Sequence, residues 1–160
     1  HIYYNKHKAP IKVVRPFNFY GPYMGINDNR VLSNWMRSYL KGEEIVIYGD
    51  GKQTRTFCYA GDGIAMCLGV LLKGEDGEIY NVGNPTPELS MLELAEKFCN
   101  VLNYKNKYVI KEYPSYYPSD EPSRRCPNID KVAKDTNIQP QTNLKTGLQK
   151  MLQYFKREVL

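Results

Sequence analysis

Arg15-Pro16-Phe17-Asn18-Phe19-Tyr20-Gly21-Pro22, running directly out of the apolar stretch Ile11-Lys12-Val13-Val14, is the segment that decides how this chain folds. A β-branched run that stops in a loop of aromatic, amide, glycine and proline residues reads as a strand whose end delivers backbone and amide groups to a ligand. The loop starts fifteen residues into a chain of 160. In a ligand-binding α/β protein most of the machinery precedes such a loop, so the chain reads as the second half of something larger.

Working outward, His1 to Lys8 is polar and aromatic and reads as the tail of a helix, which Pro10 prevents from running on into the strand at Ile11–Arg15. Downstream, Val31, Leu32, Trp35, Met36, Tyr39 and Leu40 recur at helical spacing, and Gly42 sits where a helix ends, which predicts a helix from about Asn29 to Lys41. Glu44 to Tyr48 reads as a strand, Gly49-Asp50-Gly51-Lys52 as a turn, and Gln53 to Tyr59 as a half-buried strand. The two strands form either a hairpin or two separated elements. Asp62–Lys73 reads as an apolar helix and Glu78–Val82 as a brief strand. Leu89-Ser90-Met91-Leu92-Glu93-Leu94 carries the spacing of a capping box, opening a helix to about Asn103. Tyr108 to Lys111 is a strand, Tyr113 to Pro127 a proline-rich loop, and Leu144, Leu148, Met151, Leu152 and Phe155 mark a final amphipathic helix. Strands and helices alternate, which predicts the α/β class.

With 42% apolar and 24% charged residues the chain has an ordinary globular composition. Its net charge of +5 is spread along the length rather than gathered in a run. That distribution argues against a nucleic-acid face and suits small anionic ligands. Cys58, Cys67, Cys99 and Cys126 show no C-x-x-C spacing, so neither a disulfide nor a metal site is expected. No apolar run is long enough to span a membrane and no leader pattern opens the chain, which leads us to expect a cytoplasmic protein with no membrane partner.

Arginines set in loops and short strands are the side chains best suited to a forked grip on phosphate. Arg15, Arg30, Arg55, Arg124 and Arg125 are so placed, with a solvated surface charge as the alternative for any one of them. Asn18 either donates its amide to a phosphate oxygen or ties its loop to itself. No catalytic residue emerges. Tyr4 and Lys8 have the Tyr-x-x-x-Lys spacing that puts a phenol and an ammonium on one helix face, but only two residues separate Lys8 from the strand at Ile11, so the match is discounted.

The loop at Arg15–Pro22, the stretch Gly49–Tyr59, the strand end Tyr80-Asn81-Val82-Gly83-Asn84 and the segment Arg124-Arg125-Cys126-Pro127-Asn128-Ile129 occur in an order that resembles a known family. They resemble the C-terminal half of extended short-chain dehydrogenases, the NAD-dependent nucleotide-sugar epimerase/dehydratase family, in particular its UDP-glucuronate decarboxylase-like branch. The resemblance implies the last part of a Rossmann sheet over residues 1–22. It implies a mainly nucleotide-sugar-binding portion over 23–160, with a return strand near 53–83. It implies a homodimeric parent in which tightly held NAD oxidises the sugar at C4, a 4-keto intermediate reacts and the hydride returns. Position by position, Asn18 resembles the diphosphate-binding amide, Arg55 the main diphosphate arginine, and Arg125, with Arg124 beside it, a second phosphate clamp. Pro16 and Phe17 resemble positions bordering the nicotinamide. By the same resemblance Arg30 to Leu32, Arg30 and Val31 foremost, would open the helix whose start lies by the nucleotide base, and Val46 to Tyr48 would line that base.

Two departures from the family pattern shape the expectation. The glycine fingerprint for NAD is absent from the sequence, so this chain alone is expected neither to bind NAD nor to turn over. Decarboxylase-like members show Gly-Pro-Arg where this chain has Gly21-Pro22-Tyr23, which leaves lyase chemistry of the dehydratase type and epimerase (isomerase) chemistry open beside decarboxylation. The expected function is therefore the substrate-holding part of an enzyme acting on a UDP- or dTDP-sugar. The alternative is a free-standing, non-catalytic module for nucleotide sugars or other anionic ligands.

Overall fold

Apolar spacing and helix-end residues account for most of the elements in the computed structural model, which describes residues 2–105, 108–115 and 122–159. In chain order they are α1 (Ile2–His7), β1 (Val13–Pro16), β2 (Phe19–Tyr20), α2 (Val31–Lys41), β3 (Ile45–Tyr48), β4 (Thr54–Arg55), β5 (Cys58–Tyr59) and α3 (Ala60–Lys73). These are followed by β6 (Ile79–Val82), β7 (Leu89–Ser90), α4 (Met91–Leu102), β8 (Tyr108–Lys111), β9 (Arg124–Arg125), α5 (Asp130–Thr136) and α6 (Leu144–Val159). Gly42 ends α2 in the left-handed region, and its N–H closes on Ser38 O and Tyr39 O. Ser90 caps α4 reciprocally: its Oγ accepts the Glu93 N–H while the Glu93 carboxylate accepts the Ser90 N–H. Gly49 and Gly51 carry positive φ, as the turn between β3 and β4 requires.

The chain forms two compact units. The first comprises residues 1–19, 56–87 and 126–142. In it β1 and β6 run parallel, in register from Val13 opposite Ile79 to Pro16 opposite Val82. Met66 and Val70 of α3, Tyr80 and Val82 of β6, and Ile129 and Val132 form its core, with Val14, Phe19, Cys67 and Ile138 packed against it. Burying each of the larger apolar side chains contributes roughly 1.5–3 kcal/mol. The Tyr80 hydroxyl is satisfied inside this core, accepting from the Glu75 N–H and donating to Asp135, each at 2.9 Å.

The second unit comprises residues 20–55, 88–125 and 143–160. Here β3 and β8 pair in parallel from Ile45 opposite Tyr108 to Tyr48 opposite Lys111. Leu32, Trp35 and Met36 of α2, Leu94 and Phe98 of α4, and Leu148, Met151 and Phe155 of α6 are all buried. Trp35 meets Phe98 edge to face at 5.8 Å, and its indole N–H donates to Val46 O at 2.8 Å. A separate three-stranded sheet in this unit runs β7-β4-β9.

Three expectations need correction. Gln53 to Tyr59 is not one strand: it splits into β4 and β5, which belong to different sheets, because the Thr54 N–H donates to Ser123 O while the Cys58 N–H donates to Asn18 O. The pairing of β3 with β8 also removes the hairpin option. Second, α5 has no counterpart in the sequence reading. Its seven residues bury only Val132 and Thr136, too few to show a period, although Asn128 Oδ1 accepts the Asp130 N–H just before it and Asn137 closes it in the left-handed region. Third, the segment from Tyr113 to Pro127 contains strand β9, while its residues 116–121 lie outside the described residues, as does His1 of the N-terminal segment.

Candidate functional site

Two-residue strands offer few main-chain hydrogen bonds, so the β7-β4-β9 sheet depends on its side chains. Its register is in-line: Thr54 lies opposite Ser90 on one side and Arg124 on the other, and Arg55 lies opposite Leu89 and Arg125. Successive residues of a strand face opposite sides of the sheet, and residues directly paired share a side. One face therefore carries Thr54, Ser90 and Arg124, and the other carries Arg55, Leu89 and Arg125. Of the five arginines singled out as suited to phosphate, Arg55 and Arg125 are brought onto one face and Arg124 onto the other, while Arg15 lies exposed in β1 of the first unit.

Arg55 is buried, at 7% exposure, with its guanidinium plane set by backbone carbonyls: Nη1 donates to Thr54 O at 2.8 Å and Nη2 to Pro122 O at 2.7 Å. On the opposite face Arg124 grips Glu88 with a fork, Nε to Oε1 at 2.8 Å and Nη2 to Oε2 at 2.7 Å. Thr54 adds its hydroxyl to the same carboxylate at 2.6 Å. Arg125, beside it in β9, is half-buried.

Arg30 stands apart from this sheet. It forms the N-terminal cap position of α2, and its guanidinium holds the Asp28 carboxylate through Nε and Nη2 at 2.5–3.0 Å. The hydrogen bonds from Arg30 hold Asp28 below the ordinary carboxylate range, and the same pairing raises Arg30. Val31 opens α2 half-buried, and Val46 and Tyr48 alternate with the buried Ile45 and Ile47 along β3. The Tyr48 ring stacks on Tyr113 at 6.1 Å, and Gln53 Nε2 bridges Tyr48 O at 3.1 Å and the Tyr113 hydroxyl at 3.0 Å. A cavity of about 300 Å³ opens beside this pair, lined by Asp50, Lys52, Gln53, Tyr113, Pro122 and Ser123.

In the other unit, the end of β1 carries Pro16, Phe17 and Asn18. The Phe17 N–H donates to Val82 O at 2.9 Å, extending the parallel ladder by one bond. A Cβ on Gly83 would lie 3.0 Å from both Phe17 Cβ and Pro127 Cγ, so a side chain there would push its neighbours apart at this strand end. Asn18 sits at φ 43° and its Nδ2 donates to Thr56 O at 2.8 Å. Of the two roles left open for this amide, loop-tying is present in the geometry.

Tyr4 and Lys8 do not form a proton-transfer pair. Lys8 lies past the end of α1 at φ 51°, and its ammonium sits over the Tyr4 ring, 5.5 Å from the centroid. Tyr23 is 87% exposed and its ring lies 4.8 Å from that of Tyr154. Cys58 is fully buried and burial pushes its thiol up to about 12, so it is inert as a nucleophile.

Three residues at these places escaped the sequence reading: Glu88, Asp28 and Tyr113. Glu88 lies in Pro85-Thr86-Pro87-Glu88, whose composition reports only a turn. Asp28 had a usable signal, because an acid two residues before an arginine at a helix start can reach it.

Residues 1–83 match the NAD dependent epimerase/dehydratase family. Over 150 residues the chain is 35% identical to UDP-glucuronic acid decarboxylase 1 of Arabidopsis thaliana, a match spanning 94% of this chain and 33% of that protein. Among solved structures, UDP-glucuronic acid 4-epimerase from Bacillus cereus in complex with UDP-glucuronic acid and NAD superimposes with a TM-score of 0.85 at 25% identity, over 99% of this chain and 49% of that one. The dTDP-glucose 4,6-dehydratase of Bacillus anthracis in complex with NAD gives a TM-score of 0.84 at 25% identity, over 98% and 48%. The chain thus spans between a third and a half of the length of these proteins.

Proposed function

Because this chain belongs to the NAD dependent epimerase/dehydratase family, we propose that it holds the diphosphate of a UDP- or dTDP-linked sugar, as the substrate-binding portion of an enzyme that works through a 4-keto sugar. The observation that carries this reading is the register of β4 with β9, which sets Arg55 directly opposite Arg125 on one face of a sheet. Two guanidinium groups on one face match two phosphates, and arginine forks suit phosphate oxygens. In this reading Asn18 adds an amide, Arg30 and Val31 lie at the base end of the nucleotide, and Val46 and Tyr48 border the base. Tyr48 is well suited to that role, since its ring is already held in a stack with Tyr113. Residues 1–22 supply the end of a dinucleotide-binding sheet and residues 23–160 mainly the sugar-nucleotide portion.

NAD, when bound, supplies the hydride acceptor and donor. This chain's own contribution is the end of β1, where Pro16 and Phe17 would border the nicotinamide. The 160 residues contain no G-x-G-x-x-G, so they offer no cradle for the dinucleotide pyrophosphate, and the chain by itself is expected to show no measurable NAD binding. The reaction after oxidation divides the relatives into decarboxylases, epimerases and dehydratases. Tyr23, which places a phenol where decarboxylase-like members have a cation, favours a neutral sugar substituent over a carboxylate at that position.

The diphosphate reading is tested by titration calorimetry with UDP. Arg55→Ala should weaken binding by about 1.5–3 kcal/mol, the usual range for a charge-assisted hydrogen bond. A loss smaller than about twofold would refute it.

A further inference from the structure

The opposite face of the same small sheet points to a division of labour between the two neighbouring arginines. Arg124 and Arg125 are consecutive in β9, so the pleat sends them to opposite sides. Arg124 goes to the side of Thr54, and there it meets Glu88, which immediately precedes β7, two residues before Ser90. Three polar atoms from two strands converge on one carboxylate: the two nitrogens of the Arg124 fork from β9 and the Thr54 hydroxyl from β4. Among the described residues the outer strands of this sheet pair only with β4, so this network ties the residue preceding β7 to β9 without using the backbone ladder.

We infer that Glu88 is a positioning residue for phosphate binding, which clamps Arg124 and thereby fixes β9 in the register that sets Arg125 beside Arg55, while Arg124 itself contacts no phosphate. The inference rests on the diphosphate reading above for its functional consequence, but the clamp is a separate claim. Exposure decides what kind of effect to expect. The Arg124 and Glu88 side chains are 65% and 27% exposed, and ion pairs so open to solvent contribute little to global stability. Their effect is local: strands of two residues have few other means of holding register, so losing the clamp frees β9 while the cores of both units remain intact.

The test is a double-mutant cycle on the full protein, read by calorimetry with UDP and, in parallel, with uridine, which lacks phosphate. Glu88→Ala and Arg124→Ala should each weaken UDP binding roughly fivefold, the double variant should be no worse than either alone, and uridine affinity should stay unchanged. Exchanging the charges, Glu88→Arg with Arg124→Glu, should restore UDP affinity to within about twofold of the parent. Additive single effects, or a loss on Arg124→Ala that Glu88→Ala does not share, would overturn the clamp and make Arg124 a direct phosphate ligand. A loss of uridine affinity equal to that of UDP would also overturn it, because the damage would then be general. If Arg55→Ala leaves UDP binding unchanged, the diphosphate reading falls instead. The clamp is then judged by amide hydrogen exchange at Arg124 and Arg125, which must accelerate equally in the two single variants for it to stand.

Discussion

The parallel pair β1/β6 and the three-stranded sheet β7-β4-β9 are held together by different forces. The first has four residues per strand in continuous register, and side chains of α3, β6 and the α5 segment seal it in a hydrocarbon cluster. The second has two residues per strand, and a carboxylate gripped by Arg124, a hydroxyl and the carbonyl-bound Arg55 guanidinium order it. Apolar packing is non-directional and tolerates volume-conserving change, whereas a polar network depends on each named partner. The contrast teaches that the scaffold and the candidate site rest on separable interactions, so each can be damaged with little effect on the other.

The sharpest way to break that separation is to hollow out the scaffold. Met66 is fully buried in the first unit's cluster, and Met66→Ala should destabilise the protein by about 2–5 kcal/mol in urea unfolding. If UDP affinity fell in proportion under native conditions, the two regions would not be separable. Next in size is a hydrogen-bonded polar group inside the apolar unit. Tyr80→Phe removes a hydroxyl that accepts from Glu75 and donates to Asp135, and should cost about 1–3 kcal/mol in the same assay. A neutral result would show that the first unit is indifferent to its buried hydrogen bonds.

The smallest effect is expected where the small sheet hands over to a helix. Ser90→Ala removes half of the α4 capping box and should cost about 1 kcal/mol. The Ser90 backbone N–H, and after it the side chain, hold the Glu93 carboxyl below its ordinary value of 4.5. A depressed carboxylate stabilises the fold above its unfolded-state value, and that contribution is lost as pH falls through the folded value. Stability should therefore decline on acidification below about pH 4.5, and in Ser90→Ala the decline should be shallower but present, because the backbone donor survives. Unfolding curves collected between neutral pH and pH 3 would detect this, and an unchanged slope would remove Glu93 from the cap.

What could be read in advance follows the same division. Helix α4 was legible from Ser90 and Glu93, α2 from its apolar period and Gly42, and β1 from its β-branched run, because each signal lies within one or two turns of chain. The partner of β3 was not legible, since β8 lies beyond β4, β5, β6, β7 and two helices, and nothing in either strand names the other. The site divided likewise. Arg55, Arg124 and Arg125 were identifiable as phosphate-suited side chains from residue type and from the family resemblance, but adjacency in sequence made Arg124 and Arg125 look like a pair. Pleating separates them, and Glu88, 36 positions from Arg124, is visible only once the strands are aligned. Asn18 had two open roles, and the contact with Thr56 O shows the loop-tying one in place.

The sequence by itself determined the alternation of helix and strand, the helix ends, the family to which the ordered blocks belong, and the residue types available for an anionic ligand. Those properties are local, set by side-chain period, by capping chemistry and by the conformations open to glycine and proline. Only the tertiary structure decided which arginine faces which side, that Glu88 holds one of them, and that β4 and β5 part company after Arg55. Strand register is the reason: a shift of one residue turns every side chain to the other face, and register is set by contacts between segments far apart in the chain.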